Sequence, residues 1–208
     1  MKTDNILKSA SFSTSEFSPK VFYLSKDLKI PFIYLEEGQE IAPHKGGATV
    51  FYFVDGEGVL TSGSERIGVK KGTLAVVGNV MERGIKCTRR ITAYGIHILL
   101  DKKAISQTIE RIETLAEFSE AKPVSKILYD SEAARLVLFS LKKNQEIKPH
   151  SVAPKVIMYL LSGKGFFRLG EIEKEAESGG IALCESMEDH GFRASEDMII
   201  LAAVIPRP

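Results

Sequence analysis

The chain has 208 residues, 44% of them hydrophobic, and its 28 basic and 27 acidic residues leave a net charge of +1. That balance gives no electrostatic excess for a nucleic-acid backbone or an anionic membrane surface, and no apolar run reaches the ~20 residues of a bilayer span. Two cysteines, Cys87 and Cys184, do not make a disulfide framework; a soluble, reduced, cytoplasmic protein is expected, with no membrane or direct nucleic-acid partner.

Residues 1–19 are polar and Ser/Thr-rich and lack the basic start and apolar stretch of a secretory signal, so they are expected to form an N-terminal extension. From 20 to 100 the apolar runs are short, as at 32–35 and 50–54, rich in Val, Ile, Phe and Tyr and bounded by Gly, Asp, Ser and Asn. This pattern predicts strands separated by turns. Asp55-Gly56-Glu57-Gly58 is expected as a hairpin turn. Over 101–123, Ile105, Ile109, Ile112, Leu115 and Phe118 recur at spacings of four and three, which predicts one amphipathic helix ended by Pro123. Such a helix would be a connector packed on a sheet, or a dimer contact. Strand-like runs resume over 124–208, at 136–141 and 156–161, with a second expected hairpin turn at Ser162-Gly163-Lys164-Gly165 and a solvated, charged hairpin at 171–177. Many short strands at regular spacing predict an all-β sandwich or barrel.

The two strand-rich segments are copies of one unit. Gly38-Gln39-Glu40-Ile41-Ala42-Pro43-His44 aligns with Asn144-Gln145-Glu146-Ile147-Lys148-Pro149-His150, five of seven positions being identical at an offset of 106. Backward, Lys20, Tyr23 and Leu35 fall on Lys126, Tyr129 and Leu141. Forward, at an offset of 107, Tyr52, Gly56, Gly58, Gly63, Gly72 and Gly84 fall on Tyr159, Gly163, Gly165, Gly170, Gly179 and Gly191. One residue is therefore missing from the first copy just after His44. A period this long is a duplicated domain rather than a solenoid repeat.

The spacing of these residues resembles the cupin family. Its first motif runs Gly, five residues, His-x-His, three or four residues, Glu, six residues, Gly. The second copy carries Asn144, His150, Val152, Val156 and Gly163 in that frame, and the first carries Gly38, His44, Gly46, Thr49 and Gly56. The second motif runs Gly, five residues, Pro-x-Gly, two residues, His, three residues, Asn. Gly179, Glu185, Met187, His190 and Ala194 stand there in the second copy, and Gly72, Gly78, Val80, Arg83 and Cys87 in the first. The resemblance implies a bicupin: two tandem double-stranded β-helix, or jelly-roll, barrels over 20–100 and 124–208, joined by the helical linker 101–123. In metal-binding cupins three histidines and a glutamate hold a divalent metal that carries oxygenase, isomerase, decarboxylase or lyase chemistry. Only His150 and His190 remain of that set in the second copy, and only His44 in the first. Valine cannot ligate a metal, so most of the set is lost rather than substituted.

The candidate site residues are thus His44, Arg83, His150 and His190. If the resemblance holds, His150 and His190 meet inside the second barrel. They would form a hydrogen-bonded neutral pair that orients a polar ligand, or hold zinc, iron, nickel, manganese or copper if Glu185, Cys184 or Asp189 supplied a third donor. Arg83 would face the cavity of His44, repel a divalent cation and favour a carboxylate; otherwise it turns to solvent or pairs with Glu82. His97 is expected as a lone strand histidine, since Val204 is its counterpart. Cys184 is expected as a small buried hydrophobe; Lys86, Arg89 and Arg90 flank Cys87 and would lower its pKa and raise its reactivity, but no His or acid is placed beside it by motif, so an unreactive thiol is expected. The leading expectation is a small-molecule-binding or accessory protein, its ligand an organic molecule such as a carboxylate, with a homodimer open. A metal-dependent enzyme of dioxygenase, isomerase or lyase type in the second copy, with Glu185 or Glu188 as base, is the alternative. A ligand-sensing partner of a transcription regulator is a third.

Overall fold

Runs of β-branched and aromatic residues need a partner for every backbone N–H and C=O they bury, and sheets supply it. A computed structural model describes residues 2–17, 19–79, 81–99 and 108–206. The strands in chain order are β1 (Lys2–Asn5), β2 (Lys20–Leu24), β3 (Leu28–Leu35), β4 (Glu40–His44), β5 (Ala48–Ser62), β6 (Glu65–Lys70), β7 (Thr73–Val77), β8 (Arg83–Ile98), β9 (Thr108–Arg111), β10 (Val124–Asp130), β11 (Arg135–Leu141), β12 (Glu146–His150), β13 (Lys155–Ser162), β14 (Lys164–Leu169), β15 (Ile172–Glu177), β16 (Gly180–Cys184), β17 (His190–Ala194) and β18 (Met198–Ile205). One short helix, α1 (Ile112–Leu115), follows β9. No helix among the described residues is long and apolar enough to cross a membrane.

The chain divides into two units, an N-terminal one of Leu7–Leu115 and a C-terminal one of Met1–Ile6 with Ala116–Pro208. In the first, antiparallel pairing runs β2-β3-β8-β5-β7-β9, with β4 on β8 and β6 on β5. In the second, one sheet runs β1-β16-β13-β18-β11-β10 and another runs β12-β17-β14-β15. Equivalent strands share one register. Ala48 to Ser62 in β5 corresponds to Lys155 to Leu169, which β13 and β14 divide at Gly163. His44 opposes Arg83 as His150 opposes His190, and Thr49 opposes His97 as Val156 opposes Val204.

Each unit has its own core. Alternate residues of β5 (Phe51, Phe53) and β8 (Ile85, Cys87, Ile91, Ala93) pack with Ile33, Leu35 and Val77 in the first. Val156, Met158, Leu160, Phe167, Phe192 and Ile200 form the heart of the second. Burying such side chains contributes about 1.5–3 kcal/mol each.

Three sequence expectations are corrected. Asp55 to Gly58 and Ser162 to Gly165 are not hairpin turns: the first lies inside β5, which stays paired with β8 through successive register shifts, and the second joins β13 to β14, which pair with other strands and not with each other. Gly56, at φ +89, and its counterpart Gly163, at φ +87, bend the chain rather than reverse it. The reversals fall instead at Gly63 and Gly170, where Ser62 pairs Glu65 and Leu169 pairs Ile172. Of the single helix expected over 101–123, only the one turn Ile112–Leu115 is helical in the described part. Residues 101–107, with Ile105, lie outside the described residues, and Thr108–Arg111 is strand. The open edge of β7 satisfies its backbone groups, Ala75 opposing Ile109, and Ile109 packs on the core. Phe118 stands 40% exposed beneath the Lys142 ammonium. The segment around it belongs to the repeat: Gln145 Nε2 donates to the Ser119 carbonyl at 2.8 Å as Gln39 Nε2 donates to that of Ser13.

A Cβ at Gly163 would sit 2.1 Å from the Asp197 carbonyl oxygen, whereas one at Gly170, at φ +58, would meet nothing within 4 Å. Gly163→Ala is expected to cost about 3 kcal/mol or more and Gly170→Ala about 1 kcal/mol, measured by denaturant unfolding followed by circular dichroism. Equal losses would contradict the bend assigned to Gly163.

Candidate functional site

All four residues singled out from the sequence meet in pairs. In the C-terminal unit the His150 and His190 rings lie with centroids 4.7 Å apart. His150 Nδ1 lies 3.0 Å from the Lys148 carbonyl oxygen and His190 Nδ1 3.0 Å from that of Glu188. A carbonyl oxygen only accepts, so each Nδ1 carries a hydrogen, and in the neutral ring Nε2 is then the acceptor. Burial lowers the pKa of His190, and neighbouring His150 adds to the effect.

Among the described residues that pair has no third donor. Val156 is buried and Val152 half-buried in the apolar core, at the positions where metal-binding cupins carry ligands. Glu185, expected as the third ligand, is instead exposed and ion-paired with Lys155, and its backbone N–H donates to Glu188 Oε2. Cys184 is buried, its thiol pushed up to about 12 chiefly by desolvation. Among the described residues no three His, Cys, Asp or Glu side chains gather as a metal-binding set. A divalent metal therefore does not fit the donors present.

The N-terminal unit builds a different site on the same frame. Arg83, opposite His44, begins β8. It shares the core-facing side with Ile85 and Cys87 by strand alternation, and its exposure is 2%. It does not turn to solvent or to Glu82. Its Nε and Nη1 are buried without a hydrogen-bond partner, and burial lowers its pKa. The guanidinium lies against Gly46, where a Cβ would come 2.1 Å from Nη2. The charge thus occupies the side-chain space of a position where the cupin motif has histidine. His44, opposite Arg83 but itself exposed, is fixed by Nδ1 at 2.9 Å from the Ala42 carbonyl oxygen.

His97 joins this cluster, which the sequence did not reveal. It alternates with Ala93 and Gly95 on β8, opposes buried Thr49 and meets the Phe51 ring edge-on at 6.0 Å. Its Nε2 is buried without a partner. Burial, and then the charges of Arg83, Lys29 and His44, push its pKa down to about 4, so the ring is neutral at neutral pH. The available signal was the register: His97 faces Thr49, itself at a cupin ligand position. Cys87 is buried, and desolvation raises its pKa rather than letting nearby arginines lower it.

A groove of about 520 Å³ lies elsewhere in the same unit, lined by Glu57, Ile67, Lys70, Glu110 and Arg111 among others. It mixes both signs of charge and contains none of the four candidate residues.

No protein-family model and no curated protein matches the chain. Solved structures do match it in shape. A cupin 2 conserved barrel domain protein from Leptotrichia buccalis superposes with a TM-score of 0.86 at 16% identity, over 98% of this chain and 96% of that one. The fold is that of the cupin barrel. A putative glyoxylate-induced protein from Pseudomonas aeruginosa has a TM-score of 0.79 at 12% identity, over 99% and 89% of the two chains. Salicylate 1,2-dioxygenase from Pseudoaminobacter salicylatoxidans has 0.72 at 10% identity, over 88% and 72%, and has been solved with gentisate. At these identities the likeness to cupins is one of fold.

A histidine whose folded pKa lies below its unfolded value binds fewer protons folded than unfolded in between. Its contribution to stability is complete above the unfolded value of 6.5 and is lost as pH falls towards about 4. The loss amounts to up to about 3 kcal/mol. His97→Val, which installs the residue of the second copy, is expected to flatten the fall of the unfolding midpoint between pH 7 and pH 4, leaving a residual slope from His190. Parallel curves for the two proteins would show that His97 is not buried as a neutral ring.

Proposed function

We propose that the chain is a bicupin, two tandem cupin barrels over 20–100 and 124–208, that binds a small organic acid in the first barrel, with Arg83 as the fixed cation and His44 beside it. It is read as a binding or accessory protein whose barrels no longer carry the family's metal set. The observation that carries this reading is the buried guanidinium of Arg83 with unpartnered Nε and Nη1. An isolated buried charge costs several kcal/mol. A carboxylate offset against it regains two charge-assisted hydrogen bonds in a medium of low dielectric. The names of two structural neighbours carry small carboxylates, salicylate and glyoxylate, which agrees with this ligand class.

Thermal unfolding of wild type and Arg83→Met with and without millimolar lactate or propionate tests the proposal. The ligand-free variant is expected to be more stable than wild type, by about 1–3 kcal/mol, because the unpaired charge is gone. Carboxylates are expected to raise the wild-type midpoint and leave that of the variant unmoved. A variant destabilised without ligand, or stabilised by carboxylates as wild type is, would contradict the assignment.

A further inference from the structure

The N-terminal site holds two kinds of unsatisfied group. Arg83 presents N–H donors only, and Nε and Nη1 have no acceptor. His97 adds one buried ring nitrogen, Nε2, also unpartnered. Both residues are on β8, and strand alternation puts both on the core-facing side, with Ile85 and Cys87 in one part of the strand and Ala93 in the other. The segment between β4 and β5 brings the two ends of β8 together: a Cβ on Gly46 would come 2.1 Å from Arg83 Nη2, and one on Gly47 1.9 Å from the carbonyl oxygen of Ile98, the residue after His97. Thr49, opposite His97, already spends its hydroxyl hydrogen on the Gly47 carbonyl, so it has none to give the ring, and Nε2 has no other partner.

The second copy shows what this frame does without such demands. Val156 and Val204 oppose one another where Thr49 and His97 do, and both pack on an apolar core. A histidine at 97 is therefore not required by the register. It puts one more polar nitrogen, uncharged at neutral pH, into a site whose charge is supplied by Arg83.

We infer that the site selects carboxylates bearing a neighbouring oxygen, that is 2-hydroxy or 2-oxo acids, with Arg83 holding the carboxylate and His97 Nε2 reading the second oxygen. This deepens the organic-acid reading above and rests on it. A neutral imidazole suits both subclasses: the tautomer with a free Nε2 lone pair accepts from a hydroxyl, and the other donates to a keto oxygen. An acid lacking that oxygen leaves a buried ring nitrogen unpaired, which is how polar sites reject a deoxy analogue. Inorganic phosphate, which carries charge and hydroxyls on one tetrahedral centre, tests whether the planar carboxylate with its neighbouring carbon-borne oxygen is what the site selects.

The test compares lactate with propionate, which differ by that hydroxyl alone, with pyruvate and inorganic phosphate as further probes, by isothermal titration of the full chain. Wild type is expected to bind lactate and pyruvate about tenfold more tightly than propionate. His97→Val is expected to reduce that preference to less than about twofold by weakening lactate and pyruvate more than propionate, a pattern that a merely structural role for His97 would not produce. Because valine occupies the matching register in the second copy, the variant is suited to the fold, and His97→Gln, which keeps a polar group, should restore part of the preference if valine unsettles it. Equal binding of lactate and propionate by wild type, a preference that survives in His97→Val, or phosphate binding as tight as lactate would each overturn the selectivity while leaving a carboxylate site at Arg83. Binding of none of the acids would instead overturn the organic-acid reading itself.

Discussion

A positive charge inside a β-sheet protein must be answered, and in this chain the answer shapes the N-terminal site. Arg83 begins β8, faces the core and is all but sealed from water, with two of its nitrogens unpaired. Gly46 gives the guanidinium room that any larger residue would take. The same charge, together with burial, keeps His97 neutral. One side chain thus sets the sign of the site, the protonation of its neighbour and the class of molecule that could relieve it. The cost is borne by the apolar shell of Phe51, Ile85, Ile91 and Ala93, whose burial supplies the stability that a strained site consumes.

The duplication shows how little the backbone decides. His44 and Arg83 hold the register of His150 and His190, and Thr49 and His97 that of Val156 and Val204. The Nδ1 to carbonyl contacts of His44 and His150 repeat as well. On one frame stand a buried cation and a neutral imidazole, and on the other a pair of imidazoles and a pair of valines. Fold and site are separable here, which is why structural neighbours at 10–16% identity describe the architecture and not the chemistry.

Much of the architecture was legible because it rests on short-range rules. Apolar runs with turn glycines gave the strands, and the in-register glycines gave the repeat. The failures have physical causes. The periodicity around Ile109 and Ile112 satisfies a helix template, but the unpaired edge of β7 offered the backbone a better partner at Thr108–Arg111. Asp55-Gly56-Glu57-Gly58 has turn chemistry, yet the strand bends through it because β8 pairs on both sides. The repeat also reaches back to Ser13 and Ser119, where only the glutamine contacts reveal it. At the candidate site, spacing singled out His44, Arg83, His150 and His190, which the register sets opposite one another in pairs. It could not give the inward course of Arg83, which depends on the missing side chain at Gly46, nor the approach of His97, which depends on the pairing of β5 with β8.

The central claim is that the Arg83 guanidinium lies buried and awaits an anionic partner, and a crystal structure grown in the presence of lactate tests it most directly. The account predicts carboxylate density with both oxygens about 2.7–2.9 Å from guanidinium nitrogens of Arg83, inside the N-terminal unit and beside Gly46. Density for the acid elsewhere, or an Arg83 side chain swung out to solvent or paired with a protein carboxylate, would contradict it.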